Sequence, residues 1–185
     1  MFSDGTVAEN VAAKVIKNNT FLFDDKGRMV TGLVEITGGT GEADDKGIVR
    51  HVNRVGGKAL IEGIYYFSTD DGSQEGTMAT GKVTVDDEGD KYTYYFDKSG
   101  RAYKNTLIKG AVYGADGRRL EAEDGSKYEL IPVEAITDEN GKSVIPAGSQ
   151  VIVNSNGTVK RSASKIEIDG VNYKVVDYVA SPIAE

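Results

Sequence analysis

The chain has 185 residues, enough for one ordinary domain or a short array of small units. Lys and Arg total 22 against 29 Asp and Glu, and the net charge of −7 argues against binding to a nucleic-acid backbone. With no cysteine and one histidine, His51, the sequence excludes disulfides, a thiolate nucleophile and a His-rich metal cluster. We therefore expect no metal and no cofactor.

No apolar run approaches the roughly 20 residues that a membrane-spanning helix requires, so we expect no membrane insertion. Residues 1–5 lack a basic region followed by an apolar stretch, and the chain opens directly on a turn-like Asp4 and Gly5. We expect the chain to be part of a larger secreted protein whose signal peptide lies outside it.

A turn sequence recurs along the chain. Glycines that follow Asp or Asn within three residues return about every 22 residues, at Gly5, Gly27, Gly47, Gly72, Gly100, Gly117, Gly141 and Gly157. Most are preceded, usually by four positions, by an aromatic or β-branched residue: Phe2, Phe23, Phe67, Phe96, Tyr113 or Val153. Residues 23–29, 96–102 and 153–159 therefore read as copies of one unit, and residues 65–78 as a fourth copy with a longer turn.

Each copy predicts a β-hairpin, in which glycine supplies the positive φ of the turn between two short strands. Because a two-stranded hairpin buries too little apolar surface to be stable alone, successive hairpins must stack on one another. Helical periodicity is almost absent, and the Ala-rich residues 7–17 are interpreted as strand or loop. The sequence predicts an all-β fold, a β-hairpin repeat solenoid.

The best copies each match most of one pattern: two aromatics, Phe, Asp, a Gly turn, Met or Ala, and then Thr-Gly. This pattern is seen in Tyr94-Tyr95-Phe96-Asp97 with Gly100, in Tyr65-Tyr66-Phe67 with Met78-Ala79-Thr80-Gly81, and in Phe21-Leu22-Phe23-Asp24 with Met29-Val30-Thr31-Gly32. It resembles the cell-wall-binding repeat of Gram-positive bacteria, which includes choline-binding modules and the glucan-binding repeats of glucosyltransferases. The resemblance implies a hairpin solenoid, attachment to a surface polysaccharide or teichoic acid, and no catalysis within the repeats.

The repeats also predict a division of the chain. Residues 1–130 are assigned to cell-wall-binding-type hairpins, with 33–62 as a degenerate or inserted segment around Asp44-Asp45-Lys46-Gly47. Pro132 and Pro146 interrupt the later pattern, and residues 131–185 are predicted to be diverged repeats or a small β cap. A continuous solenoid with atypical ends and a separate small β-domain are both open.

This chain departs from the family in having no tryptophan, and Leu33 and Lys82 stand where Trp usually follows Thr-Gly. In choline-binding members a quaternary ammonium lies between aromatic faces, to which Trp contributes most strongly. Tyrosine can still stack on a sugar ring while its hydroxyl forms a hydrogen bond. Together with the negative net charge, this favours a neutral or cationic ligand over a polyanion.

Six tyrosines are the candidate ligand-binding residues: Tyr65, Tyr66, Tyr94, Tyr95, Tyr103 and Tyr113. Alternation along a strand places Tyr94 and Phe96 on one face and Tyr95 on the other. If the phenylalanines of the repeat point inward, Tyr66 and Tyr95 point outward. We therefore predict that Phe23, Phe67 and Phe96 are buried. The alternative is that these tyrosines only pack in the hydrophobic core and bind no ligand.

The sequence gives little support for a catalytic site or a calcium site. His51 has no nucleophile partner, and the acidic clusters at 24–25, 44–45, 70–71 and 86–90 fit no EF-hand loop and are interpreted as turns. Glu121 and Glu123 could be proposed as paired catalytic carboxylates, but carboxylates this common carry no signal. The sequence therefore favours a non-catalytic, extracellular wall-anchoring module. The alternative is a structural spacer or stalk with no specific ligand.

Overall fold

The computed structural model describes residues 12–24, 26–36, 53–55, 60–70, 72, 74–87 and 89–184. The degenerate copy at 44–49 and His51 lie outside the described residues. The chain divides into two compact units: the N-terminal unit comprises Met1–Asp87 and Phe96–Ala102, and the C-terminal unit comprises Glu88–Tyr95 and Tyr103–Glu185. The predicted division at residue 130 stays a prediction.

Strands and turns build the described part of the chain, and no helix occurs within it. In chain order the strands are β1 (Ala12–Ile16), β2 (Asn19–Phe23), β3 (Met29–Val30), β4 (Gly32–Ile36), β5 (Asn53–Val55), β6 (Gly63–Phe67), β7 (Gly81–Asp87), β8 (Asp90–Phe96), β9 (Thr106–Ile108), β10 (Ala111–Tyr113), β11 (Tyr128–Pro132), β12 (Ile136–Asp138), β13 (Ser143–Ile145), β14 (Gln150–Asn154), β15 (Ala163–Ile168), β16 (Val171–Val176) and β17 (Val179–Pro182). The prediction of an all-β repeat fold is confirmed.

The N-terminal unit is built on two small sheets. One has the order β3-β2-β1-β5, in which β1 and β2 form an antiparallel hairpin through Lys17 and Asn18, whose φ values are +47° and +69°. In the other, β4 pairs antiparallel with β6, so that Val34 lies opposite Tyr65. The core of the unit comprises Ala13, Leu22, Val34, Ile36, Leu60, Tyr65 and Phe67.

The C-terminal unit contains a four-stranded sheet of order β10-β9-β12-β13, an antiparallel pair β11-β14 and an antiparallel meander β15-β16-β17. Strand β9 is antiparallel to β10 and parallel to β12. The main core comprises Val112, Ala122, Ile136, Ile145, Val151, Val153 and Val159. A smaller core of Ile152, Val175 and Ala180 lies under the meander.

One turn recurs with the same hydrogen bonds in the described chain. The Oδ1 atoms of Asp24, Asp97, Asp138 and Asn154 each accept the backbone N–H groups two and four positions later, at 2.7–3.1 Å. The glycine three positions after each of them donates its N–H back to the carbonyl of that Asp or Asn. Gly114 starts a turn with the same backbone bonds. The turn glycines have φ between +72° and +84°, which other residues rarely adopt.

A second repeated bond joins hairpins within each unit. At four places the residue two positions after a turn glycine donates its N–H to a backbone carbonyl of an earlier hairpin. The pairs are Met78 to Thr20 at 2.8 Å, Ala102 to Ile64 at 2.8 Å, Arg119 to Thr93 at 2.7 Å and Val159 to Gly110 at 2.9 Å. Each accepting residue lies three positions before the aromatic residue of its own hairpin. Within each unit, backbone bonding therefore fixes the stacking register that the sequence predicts only in outline.

The aromatic residues before the turns are mostly core. Phe67 and Phe96 are 0% and 1% exposed, as predicted. The prediction for Phe23 is wrong, because Phe23 is only half-buried whereas Leu22 beside it is completely buried. The core of the N-terminal unit forms on the Leu22 side of β2, where Leu22 packs with Val34 and Phe67, so the alternation in this strand has the opposite phase.

Some turn glycines also leave room for a side chain of a neighbouring hairpin. A Cβ at Gly100 would lie 2.5 Å from the sulfur of Met78, whereas a Cβ at Gly110 would meet nothing within 4 Å. Both residues have similar positive φ values, +84° and +82°, so alanine suffers the same backbone strain at each. We predict that Gly100→Ala lowers the free energy of unfolding by about 1 kcal/mol more than Gly110→Ala, since Met78 must move. Urea denaturation of both variants tests this, and equal losses would contradict it.

The buried phenol groups of Tyr65 and Tyr113 make the free energy of unfolding depend on pH. Burial raises the pKa of Tyr65 and Tyr113 above the ordinary tyrosine value, and the protonated Tyr65 Oη donates a 2.9 Å hydrogen bond to the Ile61 carbonyl. The folded state then holds these protons more tightly than the unfolded chain does. The free energy of unfolding is therefore unaffected by them below about pH 10 and falls as the pH rises toward the folded values.

We predict that the doubly substituted variant Tyr65→Phe/Tyr113→Phe loses less stability than the wild type between pH 9 and 11. The substitutions also lower the free energy of unfolding at neutral pH, because the Tyr65 hydrogen bond is lost. The informative quantity is therefore the change in the free energy of unfolding with pH. Urea unfolding at a series of pH values measures it. Parallel curves for the two proteins would show that these phenols do not control the alkaline loss.

Candidate functional site

The tyrosine pairs of the two best repeats are split between core and surface. Tyr65 and Tyr94 are 1% and 2% exposed, whereas Tyr66 and Tyr95 are half-buried. This is the alternation that the sequence predicts for strands β6 and β8. Tyr66 and Tyr95 therefore carry the partly exposed ring in each of these hairpins.

Tyr66 lies against an aromatic neighbour in the N-terminal unit. Its ring stacks on Phe96, with 6.5 Å between centroids and 26° between planes. The Tyr66 hydroxyl lies 3.0 Å from the Thr69 hydroxyl, and Thr69 is exposed. One region of the ring is thus fixed by packing, while the hydroxyl end reaches a polar surface.

Tyr95 belongs to a group of three rings in the C-terminal unit, which we call the tyrosine cluster: Tyr95, Tyr103 and Tyr113. The centroid of Tyr95 lies 6.1 Å from that of Tyr103 and 5.9 Å from that of Tyr113, with interplanar angles of 56° and 66°. The Tyr103 N–H donates to the Tyr95 carbonyl at 2.9 Å, which holds the two residues side by side. Tyr103 is half-buried, whereas Tyr113 is 2% exposed and packs against Tyr95 from the core side.

Tyr66 and Tyr95 are related through the repeat. Tyr66 packs on Phe96, and Tyr95 packs on Tyr113, which occupies the position of that phenylalanine in the following copy. The partly exposed tyrosine of one hairpin therefore contacts the buried aromatic of the next. These tyrosines contribute to packing as well as to the surface, which alternation alone does not reveal.

Basic side chains lie on several of the rings. The ammonium nitrogen of Lys109 is 5.6 Å from the Tyr95 centroid. The Arg118 guanidinium lies 3.6 Å from the centroid of Tyr92, and its Nε donates to the Tyr94 hydroxyl at 3.3 Å. This hydrogen bond to Tyr94 raises the pKa of Arg118, so the group stays charged. Lys109, Arg118 and Tyr92 were not identified from the sequence, since each contact joins separate strands or turns.

A further tyrosine that the sequence did not single out lies in the C-terminal unit. Tyr128 is half-buried, with Lys160 Nζ at 4.9 Å and Lys127 Nζ at 5.5 Å from its centroid. Two shallow cavities of about 580 and 540 Å³ both include Tyr128 in their walls, together with Ser126, Ile168 and Asp169. Its position at the start of β11 gave no motif by which to find it.

The six predicted tyrosines thus fall into two classes. Tyr65, Tyr94 and Tyr113 are almost fully buried, so their ring faces are in contact with protein. Tyr66, Tyr95 and Tyr103 keep partly exposed rings, and the structure brings Tyr95 and Tyr103 together. A ligand that approaches from solvent meets this second set.

Within the described residues, no group of three or more His, Asp or Glu side chains could hold a metal ion. No helix in that part of the chain is both long and apolar enough to cross a bilayer. Burial acts to raise the pKa of Asp24, but hydrogen bonds from Arg28 and Lys26 outweigh it and lower the pKa. Glu121 is ion-paired with Arg119 at 2.5 Å, and Glu123 is exposed. Asp24 is thus engaged in a turn and Glu121 in an ion pair.

No protein-family model and no curated protein matches the chain. Among solved structures, it is similar to the choline-binding domain of CbpL from Streptococcus pneumoniae, at 14% identity over 95% of this chain and 78% of that chain, with a TM-score of 0.40. It is similar to choline-binding protein F from the same organism, at 14% identity over 95% and 89% of the two chains, with a TM-score of 0.29. A truncated alternansucrase from Leuconostoc mesenteroides is 17% identical over 89% of this chain and 11% of that chain, with a TM-score of 0.34. These TM-scores are too low to assign the chain to a family.

Proposed function

We propose that the chain is a non-catalytic module that anchors a larger secreted protein to the bacterial surface. Its ligand is a wall polymer, a polysaccharide or a teichoic-acid-type chain with neutral or cationic groups, held by tyrosines repeated on the hairpins. One observation carries this proposal. Tyr66 and Tyr95 keep partly exposed rings at the same repeat position, while the preceding residues Tyr65 and Tyr94 are buried.

The exposed groups have the chemistry that a sugar requires. An aromatic face stacks on the apolar C–H face of a sugar ring, and the phenol hydroxyl forms hydrogen bonds at the edge. Tyr95 and Tyr103 meet at 56°, so their rings form an angled wall rather than a flat patch. At Tyr66, the neighbouring Thr69 hydroxyl adds a second polar group.

The repeat pattern supports the location and the kind of partner. Residues 65–81 and 94–102 carry the sequence that resembles the Gram-positive cell-wall-binding repeat. Under this proposal the chain acts outside the cell, attached to the wall. Its turns and strands provide the scaffold, and catalysis belongs to other parts of the full protein.

Each tyrosine site is small and partly covered by packing, so we expect weak binding at any one site. A polymer that engages several sites gains from effective concentration, by a factor of about 10²–10⁴ over single-site binding. Retention on an insoluble wall therefore depends on the number of exposed tyrosines. A spacer that binds no ligand would need Tyr66 and Tyr95 only for their contacts with Phe96 and Tyr113.

Leucine substitutions separate binding from packing. The doubly substituted variant Tyr66→Leu/Tyr95→Leu keeps apolar contact with the next hairpin but removes the flat faces and hydroxyls. We predict that its retention on purified Gram-positive cell wall falls at least about tenfold, because avidity is lost together with both sites. Co-sedimentation measures retention, and thermal unfolding verifies that the variant is folded.

Tyr178→Leu is the matched control, because Tyr178 is also half-buried but lies between β16 and β17, outside the repeated position and outside the walls of the two cavities at Tyr128. We expect this variant to be retained as well as the wild type. Equal retention of wild type, double variant and control would favour the spacer. Release of reducing ends from the wall during incubation would contradict the non-catalytic assignment.

A further inference from the structure

The side chain of Lys109 lies at the tyrosine cluster. Lys109 is the first residue of a two-residue turn between β9 and β10, with φ +49° followed by +82° at Gly110. A two-residue hairpin turn with two positive φ values has a well-defined backbone, and the lysine side chain extends from it. Lys109 itself is exposed, and its ammonium nitrogen is 5.6 Å from the Tyr95 centroid.

That distance is within the range at which an ammonium group is attracted to an aromatic face. Tyr103 and Tyr113 already pack against the Tyr95 ring, at interplanar angles of 56° and 66°. A dissolved cation that approaches the same face of the ring would have to displace Lys109. While Lys109 stays nearby, the two positive charges also repel each other.

The same arrangement recurs at Tyr128 in the C-terminal unit, where Lys160 Nζ lies 4.9 Å and Lys127 Nζ lies 5.5 Å from the ring centroid. At Tyr92 the Arg118 guanidinium lies 3.6 Å from the ring centroid. The chain thus supplies its own cations to several tyrosine faces. A neutral sugar meets no charge repulsion there, and an ammonium group can donate hydrogen bonds to its hydroxyls.

We propose that Lys109 determines the specificity of the tyrosine cluster. Its ammonium occupies the cation position on Tyr95, so the cluster takes neutral saccharide and disfavours quaternary ammonium and other cationic groups. This inference depends on the proposed function and narrows its ligand class from neutral or cationic to neutral at this site.

A titration with two probes tests the proposal on the full chain. Tetramethylammonium chloride is added at constant ionic strength while the NMR signals of the Tyr95 ring are followed in wild type, Lys109→Met and Lys98→Met. Methionine keeps an apolar stem of similar length without the charge. Lys98 is an exposed lysine in another turn and serves as the control. We expect Lys109→Met to bind the ammonium about two- to fivefold more tightly than the wild type, and Lys98→Met to bind it equally.

An N-acetylglucosamine tetramer is the neutral probe and is titrated in the same way. Lys109→Met is expected to bind it no more tightly than the wild type does. Unchanged ammonium binding in Lys109→Met would overturn the proposal. A parallel gain for both probes would also overturn it, since Lys109 would then block the cluster without selecting by charge.

The two proposals fail in different ways. If the wild-type chain binds neither the tetramer nor purified wall, the anchoring function is wrong. The ammonium titration still decides the role of Lys109, because it depends only on Tyr95 and the side chain beside it.

Discussion

The glycine turn is the constraint on which the rest of the structure depends. Its Asp or Asn side chain binds two backbone N–H groups, and its glycine adopts a positive φ, so the chain reverses within five residues. In several of these hairpins the residue two positions after the glycine donates to an earlier hairpin, as Ala102 does to the Ile64 carbonyl. Because this bond fixes the register, it also determines which side chains face inward.

Packing between hairpins links stability to the proposed binding surface. The absence of a side chain on Gly100 lets the turn approach Met78 closely, and this approach belongs to the same stacking that places Tyr66 on Phe96. A tyrosine at the repeated position therefore has one region against protein and another toward solvent. Truncation of such a tyrosine to alanine would affect both properties, whereas leucine keeps the apolar contact and removes only the ring face and the hydroxyl.

Sequence reasoning succeeded where the local pattern and the packing agree. The turns at Gly27, Gly100 and Gly157 follow from Asp or Asn three positions earlier, and the split between Tyr94 and Tyr95 follows from strand alternation. It failed at Phe23. Alternation gives two possible phases, and the core of the N-terminal unit selected the phase that buries Leu22.

The sequence by itself determined the all-β hairpin repeat and the position of its turns, because both depend on residues a few positions apart. It also named Tyr66, Tyr95 and Tyr103 as candidates, but not the distances and angles between the rings. Only the tertiary structure decided that Tyr95 meets Tyr103 and Tyr113 and that the Lys109 ammonium lies on its ring. These contacts join residues up to 18 positions apart, and their geometry comes from hairpin stacking, which leaves no local sequence pattern.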